Sequence, residues 1–126
     1  MKLTLFLLIS VLLCSLLVIS INVHPTYANP SWLSGWDYRK SHVINSASGA
    51  GTNYQVKIIV HYGSGSDSGD DVYLNSKCQT DFDDIRFTDN DETTLLDYWM
   101  QEKTDSDNAV FWVEVADDLS SSAVTI

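Results

Sequence analysis

The stretch NYQVKIIVHY, residues 53–62, sets Tyr54, Val56, Ile58, Val60 and Tyr62 on one side of an extended chain and Gln55, Lys57 and His61 on the other. A period of two is that of a β-strand, whose successive side chains point to opposite faces. Valine and isoleucine also suit a pleated, half-buried surface. The stretch therefore predicts a strand with one face in a core and the other in water. The same period returns in AVFWVEV, residues 109–115, with Phe111, Val113 and Val115 inward and Trp112 and Glu114 outward. DYRKSHVIN (37–45), DIRFT (84–88) and TLLDYWM (94–100) read as further strands bounded by turn formers. QEKTDSDN (101–108) reads as a polar hairpin loop, which makes the strands on either side of it antiparallel neighbours. GSGSDSGDD (63–71) reads as a surface excursion, because glycine and serine bury too little to fix it. No ten-residue stretch beyond the N-terminus has a helical period. The expected fold is all-β, an antiparallel β-sandwich of the jelly-roll-like kind.

The N-terminus is of another character. MKLTLFLLISVLLCSLLVISI, residues 1–21, is an apolar run led by Lys2, the pattern of a targeting segment. Pro25 follows, then Thr26-Tyr27-Ala28, with small residues at the positions a signal peptidase requires, so cleavage after Ala28 is expected. Leu3 to Ile21 is also nearly long enough to span a bilayer, which takes about 20 residues, and an uncleaved N-terminal anchor helix is the alternative. Either way Lys2 keeps the N-terminus inside, and residues 29–126 form one extracellular or cell-surface domain. Cys14 follows Leu13, where a lipidation signal requires a small residue.

Removing residues 1–28 takes away one lysine and no acid, so seventeen Asp and Glu face six Lys and Arg, a net charge of −11. A field of that sign repels phosphate backbones and anionic lipid, which argues against nucleic acid as a partner and leaves membrane contact to the N-terminal segment alone. Calcium and neutral polymers are compatible with it. Cys78 is the one cysteine past residue 28, so the domain has no intrachain disulfide and an inert, buried thiol is expected.

The acids invite two kinds of chemistry. Asp89-Asn90-Asp91 begins like a calcium loop, but Thr93, Thr94 and Met100 stand where an EF-hand requires an oxygen ligand, Gly and Glu. What remains is first the plain reading, solvated turns between strands, and beside it a sandwich-edge calcium site on Asp89 and Asp91, helped by Asp83 or by Asp67, Asp70 and Asp71. A glycosidase needs two carboxylates facing across a cleft. Asp83 and Asp84 are adjacent and diverge in a strand. No serine sits in a Gly-x-Ser-x-Gly elbow, since Asp67 occupies the centre of GSDSG (65–69). His42, His61 and Cys78 are too scattered for zinc. The expectation is a protein that is not an enzyme.

The aromatics carry more. Trp32, Trp36, Tyr38, Trp99 and Trp112 are many for a domain of this size. If Leu96, Tyr98 and Phe111 fill the core, alternation turns Trp99 and Trp112 to the other face, where they either stack on a sugar ring or cover another sheet. Arg39 and Lys40 balance nearby acids. Phe82, Ile85, Phe87, Leu96 and Tyr98 cannot all point inward without a bend or bulge, expected near Asp83.

WDYRKSHVI, YQVKIIVHYGSG, CQTDFDDIRFTDNDETTLLDYW and FWVEVADDLSSSAVTI together resemble the prokaryotic DUF2341 family, over about Trp36 to Ile126. The resemblance implies a secreted or cell-surface module set beside lectin-like sandwiches, other β modules or membrane anchors. Two departures stand out: the family pattern continues past Ile126 into a tyrosine-rich strand, which reads as a C-terminally truncated member, and Glu92 stands where the family often has a turn glycine. The function expected is surface attachment, assembly or glycan binding, with a glycan or a surface protein as partner. The alternative is an accessory domain of a secreted carbohydrate-active enzyme or of an envelope transport complex.

Overall fold

The computed structural model describes residues 32–126. The expected signal or anchor helix, the cleavage site at Ala28 and Cys14 lie outside the described residues. Those described are all-β, with six strands: β1 (Val43–Ile44), β2 (Tyr54–His61), β3 (Asp71–Tyr73), β4 (Tyr98–Thr104), β5 (Asn108–Val115) and β6 (Val124–Thr125). Among them no helix is long and apolar enough to cross a membrane.

Four strands make one sheet in the order β3-β2-β5-β4, and β1 pairs with β6 in a separate ribbon. The alternating segments β2 and β5 lie at its centre, antiparallel, in register from Tyr54↔Val115 to His61↔Asn108. That register sets Ile58 beside Phe111 and Val60 beside Ala109 on one face. Ala109, Phe111 and Val113 have no exposed surface at all. Each large side chain so buried contributes about 1.5–3 kcal/mol, so this face is what holds the sheet together. Phe82 and Leu96 lie on it from the long segment before β4, and Ile44 and Leu119 join the same core from the ribbon side. Ile85, Phe87 and Tyr98 pack at its margin, with Phe87, Tyr98 and Phe111 meeting edge to face at 5.2–5.9 Å.

Several expectations change. The strand over 37–45 shrinks to Val43–Ile44, because Arg39 and Lys40 turn out to ion pairs with Glu92 and Asp67 and no neighbouring strand runs beside residues 37–41. DIRFT forms no strand beyond a single bridge, Thr88↔Leu95. Phe82 takes φ 62°, the left-handed region uncommon for a bulky side chain, and the Ile85 amide donates to its carbonyl, so the chain turns there. β4 starts at Tyr98 and runs to Thr104, so QEKT is strand and the hairpin turn tightens to residues 105–107, where Asp107 N donates to Thr104 O and Ser106 takes φ 63°. The bend expected near Asp83 is present as the Phe82–Ile85 turn, and a separate β-bulge lies at Gln101, between Met100 and Glu102.

The sheet is also mixed. β3 runs parallel to β2, with Ile59↔Asp71 and His61↔Tyr73 in register. Parallel neighbours usually need a crossover of a dozen or more residues, whereas residues 62–70 return within a shorter polar loop. Polar contacts hold that loop: Asp67 Oδ1 accepts from Lys40 Nζ at 2.7 Å and from Tyr73 N at 2.9 Å. The Tyr73 ring stacks on His61, centroids 4.3 Å apart, and its other side lies so close to Gly65 that a Cβ there would fall 2.4 Å from ring atoms. Residues 63–70 are the surface excursion expected, exposed throughout, yet they are tied to the sheet edge, which Asp71 joins in β3.

Candidate binding surfaces

The two tryptophans singled out by alternation come together. Trp99 and Trp112 are direct cross-strand partners on β4 and β5, on the face opposite Phe111 and Val113. Their rings stack with centroids 6.4 Å apart and planes 12° from parallel. Trp99 keeps 51% of its surface exposed, and Trp112 is half-buried. The bulge serves this pair. It frees Gln101 from the regular ladder, and Gln101 Oε1 accepts a hydrogen bond of 2.7 Å from Trp112 Nε1, which fixes the indole's orientation. Lys57 follows in the same cross-strand row, beside Trp112, and pairs with Asp70 at 3.1 Å. The outer face therefore presents a stacked pair of indoles, held in place and edged by polar groups.

Asp89 and Asp91, the calcium candidates, share one turn between Thr88 and Leu95. Their oxygens serve the chain itself. Asp91 Oδ1 accepts from the amides of Thr93 and Thr94, and its Oδ2 from the Thr94 hydroxyl, while Asp89 Oδ1 accepts from Asn90 N. The Thr94 hydroxyl, then the Thr94 and Thr93 amides, hold the Asp91 carboxyl down at about 2. A cation at Asp91 would compete with these bonds. Asp67 and Asp71 are likewise engaged, by Lys40 and His61. No group of three or more His, Cys, Asp or Glu suited to a metal occurs among the described residues. Glu92, in the turn where the resemblance leads one to expect glycine, does adopt φ 66°. Its carbonyl accepts from Leu33 N and its carboxylate pairs with Arg39.

The remaining reactive side chains are separated. His61 Nε2 lies 2.7 Å from Asp71 Oδ1 at the sheet edge. His42 precedes β1, and burial pushes its pKa below the ordinary histidine range against the pull of Asp67 and Asp70. Burial, reinforced by Asp84, pushes the Cys78 thiol up to about 11, which makes it a poor nucleophile.

A second surface was not visible in the sequence. On the core side of the sheet a groove of about 770 Å³ opens between Ile58, Val60 and Val72 and the strap around Trp32, Trp36 and Tyr38. Each strap ring carries a cation: Arg39 over Trp32 at 4.6 Å, Lys77 over Tyr38 at 4.6 Å and Arg86 over Trp36 at 5.5 Å. Trp36 is anchored in turn by its Nε1, which donates to Asp84 O at 2.7 Å. Residues from five separate parts of the chain meet here, so neither spacing nor alternation could announce it.

Among known proteins, the family model described as Domain of unknown function (DUF2341) matches residues 81–126. The match takes in β4, β5, β6 and the turn of Asp89 and Asp91. No curated protein and no solved structure matches the chain.

Proposed function

We propose, for a chain that belongs to the DUF2341 family over residues 81–126, a non-enzymatic, extracellular binding module that holds saccharide against the Trp99–Trp112 face. The stacked tryptophan pair carries this reading. An apolar ring surface pinned in place and left open to water costs stability unless something covers it, and indole faces suit the flat C–H faces of sugar rings as they suit other aromatic bodies. Rigidity adds to the fit, because the Gln101 bond and the cross-strand stack remove ordering that binding would otherwise have to supply. The finer architecture we propose is a sandwich, with the β1–β6 ribbon and its flanking segments as the second layer over the four-stranded sheet. It is supported by the single core that Ile44 and Leu119 share with Phe111. The extracellular location rests on the apolar run and Ala28 site of the N-terminal sequence.

The test is a neutral-glycan array followed by titration of any saccharide retained, using the full chain and its Trp99→Ala and Trp112→Ala variants. Binding weakened about tenfold by either substitution, equivalent to about 1.4 kcal/mol, is the expected result. Retention that is indifferent to both substitutions, or no retention of any neutral saccharide, would count against the reading.

A further inference from the structure

We infer that the groove beneath Trp36 and Tyr38 is a second saccharide site, selective for sugars that carry carboxylates, such as a run of uronic acids. The inference extends the saccharide reading above but shares no residue with the Trp99–Trp112 face.

Charge carries it first. Of the six lysines and arginines among the described residues, Arg39, Lys40, Lys77 and Arg86 line this one groove, together with three acids; the rest of the surface holds two cations against fourteen acids. A chain of overwhelming negative charge has thus gathered its positive charge in a single concavity, where field lines focus. Two of the four cations are neutralised locally, Arg39 by Glu92 and Lys40 by Asp67. Lys77 and Arg86 have no carboxylate partner among the described residues. Each is instead held over a ring, Lys77 on Tyr38 and Arg86 on Trp36, a placement that positions a cation without cancelling its charge. Arg86 is further fixed by donating from Nη1 to Asp83 O and to the Tyr98 hydroxyl, at 3.0 and 3.1 Å. Two cations on aromatic supports, without a direct ion-pair partner although Asp84 and Asp89 also line the groove, are a recognition device for anions.

The kind of anion follows from what surrounds them. The groove, at about 770 Å³, falls in the range of about 300–1,000 Å³ typical of small-ligand sites. An acidic peptide would bind most simply by adding a strand to the free side of β3, which borders the groove. That route is obstructed, because the Tyr73 amide donates to Asp67 Oδ1 and the Tyr73 carbonyl accepts from Lys40 Nζ. Recognition is left to side chains, namely ring faces and edges with two cations, which matches a sugar ring bearing a carboxylate better than a polypeptide backbone.

The experiment is calorimetric titration of the full chain with trigalacturonate, with its methyl ester and with an oligoglutamate of equal charge. Trigalacturonate is expected to bind, at least tenfold tighter than the ester, with affinity falling as salt screens the contacts. Lys77→Gln and Arg86→Gln should each weaken binding at least fivefold, whereas Trp99→Ala and Trp112→Ala should leave it unchanged. Because Arg86 also braces the fold, Lys77→Gln is the deciding variant. No binding of trigalacturonate, equal binding of the ester, indifference to Lys77→Gln, or tighter binding of oligoglutamate would each overturn the inference. Neutral-saccharide binding lost only in the Trp99 and Trp112 variants would leave the outer-face reading standing by itself.

Discussion

Substituting Gly65 by alanine tests how the GSGSDSGDD loop is held. The added Cβ would lie 2.4 Å from Cδ1 and Cε1 and 2.6 Å from Cγ of Tyr73. These are ring atoms near the main chain rather than the end of a flexible side chain. The ring cannot retreat freely, since its other side stacks on His61 at 4.3 Å and Tyr73 itself is paired with His61 in the parallel ladder. Relief therefore means moving Tyr73 by about an ångström or opening the loop. Overpacking of this sort costs about 1–3 kcal/mol, and losing the ring stack adds about 0.5–1.5 kcal/mol. We expect about 2–3 kcal/mol in all, a fall in Tm of about 10–20 °C for a domain of this size. Thermal and urea melts followed by circular dichroism provide the assay. Gly63→Ala is the control, because nothing lies within 4 Å of its Cβ position, and it should be neutral or slightly stabilising. In a Tyr73→Ala background the Gly65 penalty should largely vanish, as expected for two residues in direct contact. If Gly65→Ala melts like Gly63→Ala, the loop is not packed beneath Tyr73 and the account of the β3 edge is wrong.

Other consequences are smaller. Glu92→Gly relieves a left-handed backbone, about 1–2 kcal/mol, against about 0.5–1 kcal/mol of glycine entropy and an exposed Arg39 pair of about 0–1 kcal/mol; it should melt at or slightly above wild type and Glu92→Ala below, and the reverse order would make the ion pair dominant. Asp91 is held at about 2 in the folded chain, from an ordinary 3.8, so the stability its ionised form supplies is complete above about pH 4 and is lost as pH falls toward 2; Asp91→Asn should remove that part of the acid dependence, and an NMR titration midpoint near the ordinary value would contradict the assignment. Since its oxygens already serve Thr93 and Thr94, millimolar calcium should not shift the melt, and a calcium-dependent rise abolished by Asp91→Asn would restore the metal site. Cys78, pushed up to about 11 from an ordinary thiol value of 9.0, should alkylate more slowly at pH 8 than in the unfolded chain, read by mass spectrometry of its peptide.

How much of this could be read from residues alone depends on the element. β2 and β5 were legible because one face of β5 is wholly buried and β2 buries Ile58 and Val60 beside it, so Ile58, Val60, Phe111 and Val113 had to alternate with polar or exposed neighbours. The outward pairing of Trp99 with Trp112 followed from the same alternation. The second half of β4 was not legible: Glu102, Lys103 and Thr104 are exposed, and an edge strand without a buried face carries no period. Charged residues there protect an edge, which in sequence looks like a loop. β3 is three residues, too short for a pattern, and its parallel pairing depends on a glycine beneath a tyrosine ring. DIRFT misled because Ile85 and Phe87 do point toward the core, but from a turn set by the left-handed Phe82 and not from a strand. The groove depends on residues as far apart as Trp36, Lys77 and Arg86, and only the folded chain brings them together.

The central claim is that alternation on β4 and β5 places a rigid Trp99–Trp112 surface outside the core for saccharide to cover. Indole N–H resonances of the ¹⁵N-labelled chain, followed through a titration with a neutral oligosaccharide selected on the array, test it most directly. The account predicts that the Trp99 and Trp112 signals shift together and saturably while those of Trp32 and Trp36 stay in place. Shifts confined to Trp32 and Trp36, or none at any indole at saturating sugar, would contradict it.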